Sequence, residues 1–161
     1  MVGKVRAALL GAAAILVAAS LMGGWSALEA AQEQKDSKAV AGRKKLMQGN
    51  AKAMKALNGA LKAGEYPKVV MLASEIGENA LGIGEAFEKK DLAGKTTALP
   101  KIWEEKAKFD RIASKMLNDS REVVEAARTK DKQKTEAAVK AMGSNCAACH
   151  KEFRQPPKKK S

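Results

Sequence analysis

An all-α fold, an antiparallel up-down four-helix bundle, is what this 161-residue sequence predicts. Three observations carry it. The composition leans on Ala, Lys, Glu and Leu, which lose little rotamer freedom in a helix, and only 4% of residues are aromatic. Four segments place apolar residues at seven-residue intervals, the spacing of a buried helical stripe. No segment alternates with period two over a useful length, and short connections join the four segments, as in a bundle.

The chain opens with a different kind of segment. Lys4 and Arg6 precede an uncharged apolar run over residues 7–24, and small residues follow near 27–31. This order reads as a secretory signal peptide over residues 1–30, cleaved near Ala30. An uncleaved anchor competes with that reading. The run is marginal in length for spanning a bilayer and is rich in Ala and Gly. Cleavage would leave an exported protein, periplasmic in a bacterium. It would remove Lys4 and Arg6 against Glu29, taking the formal charge from +12 to +11.

The first predicted helix covers about 37–63. Val40, Met47, Met54 and Leu61 form its stripe, with Leu57 beside them, and Gly64 and the Tyr66-Pro67 pair end it. The second covers about 67–89. Val69, Ile76 and Ile83 make one row, and Leu72, Ala73, Ala80 and Phe87 the adjoining one. Gly77, Gly82 and Gly84 either weaken this helix or let another backbone or a flat ligand come close. The third follows a 94–99 connection and begins at Pro100, a residue suited to a first helical turn. Ile102, Phe109, Met116 and Val123 are its stripe, flanked by Ala113, Ser120 and Ala127. The fourth covers about 131–153, with Thr135, Val139, Met142, Cys146, Cys149 and Phe153 on its apolar face. Residues 31–155 thus make one domain, and 156–161 a basic, flexible tail.

Chemistry concentrates at the end of the fourth segment. Cys146-Ala-Ala-Cys149-His150 holds both cysteines and the one histidine of the chain. Cys-x-x-Cys-His is the attachment sequence for c-type haem: two thiols anchor the macrocycle and the adjacent imidazole binds iron. Steps of three and four residues put Cys146, Cys149 and His150 on nearly one helix face, the face assigned to the interior. A thioredoxin-type pair belongs at a helix start in a βαβ pattern, and none is visible. Structural zinc normally takes four ligands, one more than the soft ligands this chain has. A disulfide across three residues of a helix has poor geometry. One covalent haem c per chain is therefore the expected cofactor. Paired carboxylates, a Ser-His arrangement and a Gly-rich phosphate loop are not seen, so no enzyme is expected.

The sequence resembles the cytochrome c-prime family of exported four-helix-bundle haem proteins. The resemblance runs from about Ser37 to Arg154. It is carried by Arg43-Lys-Lys-Leu-Met47, by Pro100-Lys-Ile-Trp103 with Phe109, and most specifically by Cys146-Ala-Ala-Cys-His150-Lys-Glu-Phe-Arg154. It implies that Cys146 and Cys149 bind haem and that His150 is the proximal iron ligand. It also implies that Arg43 and Arg154 lie near the haem, Arg154 against a propionate or the imidazole. As the last turn's cation, Arg154 also suits the helix dipole. The 88–99 connection is more compact than is usual in the family, which leaves that haem edge more open or differently covered.

The family has two branches. In one, a methionine of the first helix fills the sixth coordination site and the protein carries electrons. In the other, iron is five-coordinate and high-spin and binds nitric oxide or carbon monoxide. Met47 falls at the deciding position. Thioether ligation stabilises ferrous iron, so the expectation is a low-spin electron carrier with His150 and Met47 as ligands. Gas binding is the alternative, with Met47 as packing alone. Met54 is a weaker ligand candidate, Met142 is expected against the ring, and Trp103 is given no redox role. The basic charge and export together point away from nucleic acid. They fit an acidic redox partner or an anionic membrane surface, or only a solvated basic face. A homodimer through the first two helices is a further expectation from the resemblance.

Overall fold

A computed structural model of the chain describes residues 35–156. The leader 1–30 and most of the 156–161 tail fall outside the described residues. Four long helices and one short one make up the described chain: α1 Lys38–Lys62, α2 Tyr66–Ala86, α3 Lys101–Glu104, α4 Lys106–Arg128 and α5 Lys132–Phe153. Each long helix packs on the next in sequence, α1 on α2, α2 on α4 and α4 on α5, as an up-down bundle requires. The seam between α1 and α5, which closes the ring, is the slightest.

Local chemistry fixes the ends. The Ser37 hydroxyl accepts from the Val40 N–H at 3.1 Å, capping α1. The Asp131 carboxylate accepts from the Lys134 N–H at 3.0 Å, capping α5. Pro67 lies in the first turn of α2, where its missing N–H costs nothing. Most of the sequence stripes are buried, with Met47, Met54, Cys146 and Cys149 only partly so. Leu57, Val69, Ala73, Val123, Ala127 and Met142 are fully enclosed, and Ile76, Phe109 and Phe153 nearly so. α2 and α4 approach tightly at Gly77: a Cβ there would lie 2.4 Å from the Ser120 Oγ. Of the three α2 glycines, Gly77 is the one in close contact; a Cβ on Gly82 would meet nothing, and one on Gly84 only an ordinary neighbour.

Two boundaries differ from the sequence expectation. The third helix is not continuous from Pro100. Glu105, at φ −114° and ψ 41°, leaves helical geometry and splits it into α3 and α4. α2 stops at Ala86 rather than near Lys89. The cause is Arg43, only 4% exposed. Its Nε donates to the Ala86 carbonyl at 2.7 Å, Nη1 to that of Asp91 at 2.6 Å and Nη2 to that of Lys89 at 2.7 Å. A side chain from α1 thus takes over carbonyls that would otherwise extend α2, and turns the chain away.

The connection that follows is laced down on both sides. On the α1 side, the Ser37 N–H donates to the Ala93 carbonyl at 3.1 Å, and Asp36 Oδ1 accepts from the Lys95 N–H at 2.7 Å. Gly94, at φ +106°, is needed there, because a Cβ would lie 2.5 Å from the Asp36 Cα. On the α5 side, the Leu99 N–H donates to the Phe153 carbonyl at 3.0 Å and the Gln155 N–H to that of Thr97 at 2.8 Å, around an Ala98–Arg154 bridge. The compact connection therefore covers its side of the bundle rather than leaving it open.

Candidate functional site

At this laced end α1 and α5 stand apart, and a cleft of about 170 Å³ lies between them. Cys149 and His150 of α5 line it, with Met47 and Val40 of α1. Phe87, Ile102, Phe109 and Phe153 complete an apolar wall. Arg43, Lys44, Lys95 and Arg154 contribute the basic part of the lining. Sequence reasoning named Cys149, His150, Met47, Arg43 and Arg154 from two distant stretches, and all five line this one cleft.

Cys146 sits one turn earlier on α5 and turns toward α4, its Sγ 4.0 Å from the Met116 Sδ. Beside it Asn145 is buried, and its amide donates to the Ile112 carbonyl at 3.2 Å, fixing the rotation of α5 against α4. No disulfide joins the two cysteines. Burial pushes the Cys146 thiol up. Burial, with smaller contributions from Cys146 and Glu152, pushes Cys149 up to about 11. Reactive thiol-redox pairs need depressed thiol pKa values, so this environment is the wrong one for them. For His150 burial is the larger cause and Arg154 the smaller of a lowered pKa. At neutral pH the ring is thus held neutral, the form in which imidazole binds metal.

The aromatic wall went unread in the sequence. All three phenylalanines of the chain stack here. Phe153 meets Phe109 edge-on at 5.3 Å, Phe109 lies 5.1 Å from Phe87, and Phe87 lies 6.3 Å from Trp103. The Arg43 guanidinium lies over Phe87 at 4.7 Å and over Trp103 at 5.2 Å. Each phenylalanine sat on a predicted stripe, but a stripe says which face is buried, not which neighbours it meets. Arg43 holds the loop and stacks on the wall, and these contacts set its place at the cleft. Arg154 donates its backbone N–H to the His150 carbonyl at 3.2 Å, ending α5. Met54 lies farther down the α1–α5 seam, its methyl carbon 3.3 Å from where a Cβ on Gly143 would stand. Met142 is enclosed in the core and is not part of the cleft lining.

The donor set fits a haem. One neutral imidazole and one thioether line the same apolar cleft, with two thiols nearby and basic residues suited to carboxylates. The buried Trp103 Nε1–H, which meets no acceptor among the described residues, is a further donor at this end.

A family model described as Cytochrome C' matches residues 38–154. A cytochrome c-556 of Rhodopseudomonas palustris is 31% identical over 151 residues, covering 87% of this chain and 95% of that protein. A cytochrome c' of the same organism is 39% identical over 61 residues, which spans 38% of this chain and 40% of that protein. Among solved structures, cytochrome c' from Rhodopseudomonas palustris superposes with a TM-score of 0.64 at 28% identity, over 75% of this chain and 98% of that one.

Proposed function

This chain belongs to the cytochrome c' family, and from that premise we propose that it is an exported carrier of single electrons. In this reading residues 1–30 are a cleaved signal peptide, 31–155 the mature domain in the periplasm, and 156–161 a basic tail. Cys146 and Cys149 anchor one haem c, His150 is the proximal iron ligand and Met47 the distal one. When bound, the haem supplies the iron that is oxidised and reduced by one electron. The observation that carries the reading is the cleft shared by Met47 of α1 and His150 of α5.

The protein's own groups each have a part. The neutral His150 ring offers a nitrogen lone pair with no proton to lose first. The Phe87–Phe109–Phe153 wall keeps water from the ring face. Arg43 and Arg154 offer charge to propionates while Arg43 also holds the loop closed. A thioether and an imidazole bound throughout keep reorganisation on electron transfer small. The formal charge of +11 after leader removal would steer an acidic redox partner, with an anionic membrane surface as a weaker one and no nucleic acid expected. A homodimer through α1 and α2 is in keeping with the exposed Met71 and Leu81 of α2.

A second reading makes the iron five-coordinate and the protein a binder of nitric oxide or carbon monoxide. One observation favours it: Met47 is only half-buried and belongs to the loosest seam of the bundle, so its sulfur is not locked in place. The optical spectrum in both redox states separates the two. We expect a low-spin spectrum in which Met47→Leu turns the iron high-spin and opens it to carbon monoxide. A parent already high-spin, unchanged by Met47→Leu, makes Met47 packing and gas binding the better reading. Attachment has its own check: acid extraction should leave haem on the chain, and Cys146→Ala with Cys149→Ala should release it.

A further inference from the structure

Among the described residues two charged side chains are almost fully enclosed, Arg43 and Asp119. Arg43 has its nitrogens on three carbonyls. Asp119 of α4 is 3% exposed and is not satisfied in that way. Its Oδ1 pairs with Lys115, an exposed residue one turn earlier. Its Oδ2 is buried and meets no hydrogen-bond donor among the described residues. Asp119 lies inside α4, away from either cap, between Met116 and Val123 on the core stripe. An apolar residue there would avoid the desolvation of a half-paired carboxylate.

Ser120 faces Gly77 of α2. Met116 meets α5 instead, its Sδ 4.0 Å from the Cys146 Sγ. Residues three apart share a helix face, so Asp119 stands on the α5 side with Met116, about 4.5 Å further along the axis. Its charge is felt at the sulfur: burial raises the Cys146 thiol most, and Asp119 raises it further. On the reading of Cys146 as a haem anchor, that sulfur is bonded to the edge of the ring. A buried negative charge therefore stands beside the anchored edge.

We propose that Asp119 sets the reduction potential of the protein, as a fixed buried charge that favours the oxidised state. Loss of one electron from the iron to a redox partner raises the charge of the site by one, with no bond made or broken and no proton moved. A nearby carboxylate stabilises the more positive state and so lowers the potential. Enclosure keeps salt from screening it. Lys115 opposes it only in part, since that ammonium is largely in solvent. Pairing both oxygens would cancel the charge, and leaving one unpaired preserves it. The inference rests on the haem reading but not on Met47 being a ligand.

The test is a redox titration of holoprotein at neutral pH, in low and high salt. Chain mass after denaturation reports attachment first; a parent without haem overturns both readings. With haem attached, Asp119→Asn keeps the shape and removes the charge. It should raise the potential by about 59 mV, an about tenfold change in equilibrium with a one-electron partner, as expected of unit charges about 10 Å apart in a protein. The rise should persist in high salt and leave the optical spectrum unchanged. Asp119→Glu should stay near the parent. Lys115→Ala, at the surface, should lower the potential by a smaller amount, and it carries the test if Asp119→Asn does not fold. An unchanged or lowered potential in Asp119→Asn, or a rise with an altered spectrum, overturns the role of Asp119 and leaves the haem reading standing. Where Asp119→Asn does not fold, an unchanged potential in Lys115→Ala does the same.

Discussion

The α2–α4 interface and the α1–α5 seam belong to one bundle and are built in opposite ways. Between α2 and α4 a glycine faces a serine, and Ile76, Val69, Ala73 and Val123 are enclosed almost completely. Between α1 and α5 two methionines are half-buried and a cleft is open. Dense packing gives the first region its stability. The second gives up contact to keep room for chemistry, and makes up part of the loss with polar lacing at its rim. Stability and function are thus carried by different faces of the same helices.

Breaking the dense face should have the largest effect. Ile76→Ala leaves a cavity in the core and should cost about 4 kcal/mol, measured by denaturant unfolding, whether or not haem is bound. A loss under about 1 kcal/mol would mean that the two faces do not differ as described. The rim comes next. Arg43→Lys keeps the charge but cannot reach three carbonyls at once, and should cost about 3 kcal/mol. Amide exchange should quicken over residues 86–99 while the α2–α4 interface stays protected. Uniform loss of protection would instead make Arg43 part of the main core.

Acid should sharpen the contrast with the smallest effect. The hydrogen bond from Lys44 and that from the Lys95 N–H hold the Asp36 carboxyl below its usual 3.8. The Ala93 N–H and Ser37 do the same for Asp91. A carboxyl lowered in the folded state contributes stability above its unfolded pKa, and this is lost as pH falls through the lower folded value. Loosening of the 87–99 connection is therefore expected only below about pH 4. Asp36→Asn should remove part of that pH dependence, read as local amide exchange. Dependence centred near pH 6 would point to a group other than these carboxylates.

The sequence made the scaffold and the chemistry legible to different depths. Heptad stripes located four helices because burial on one face is a periodic property of the local chain. Cys146, Cys149 and His150 were legible because their chemistry is local too. The break at Glu105 was not, since no proline or glycine marks it and the residues around it continue the helical pattern. Nor was the shortening of α2, which is caused by a side chain more than forty residues earlier. Arg43 read as one cation in a basic string; only its three carbonyl partners reveal a structural role.

The lacing of the 87–99 connection has a consequence for how the molecule is handled. Asp36, near the start of the described chain, bonds Lys95, and Gln155, near its end, bonds Thr97. Only two residue steps separate Lys95 from Thr97, so both strands emerge within roughly 15 Å of each other. They do so at the pole that carries the cleft. An electrode linker or affinity handle attached at Asp36 or Gln155 would press the cleft toward the support, whereas attachment at the turn joining α1 to α2 would present it to solution. Current measured from the two immobilised orientations should differ for that reason alone.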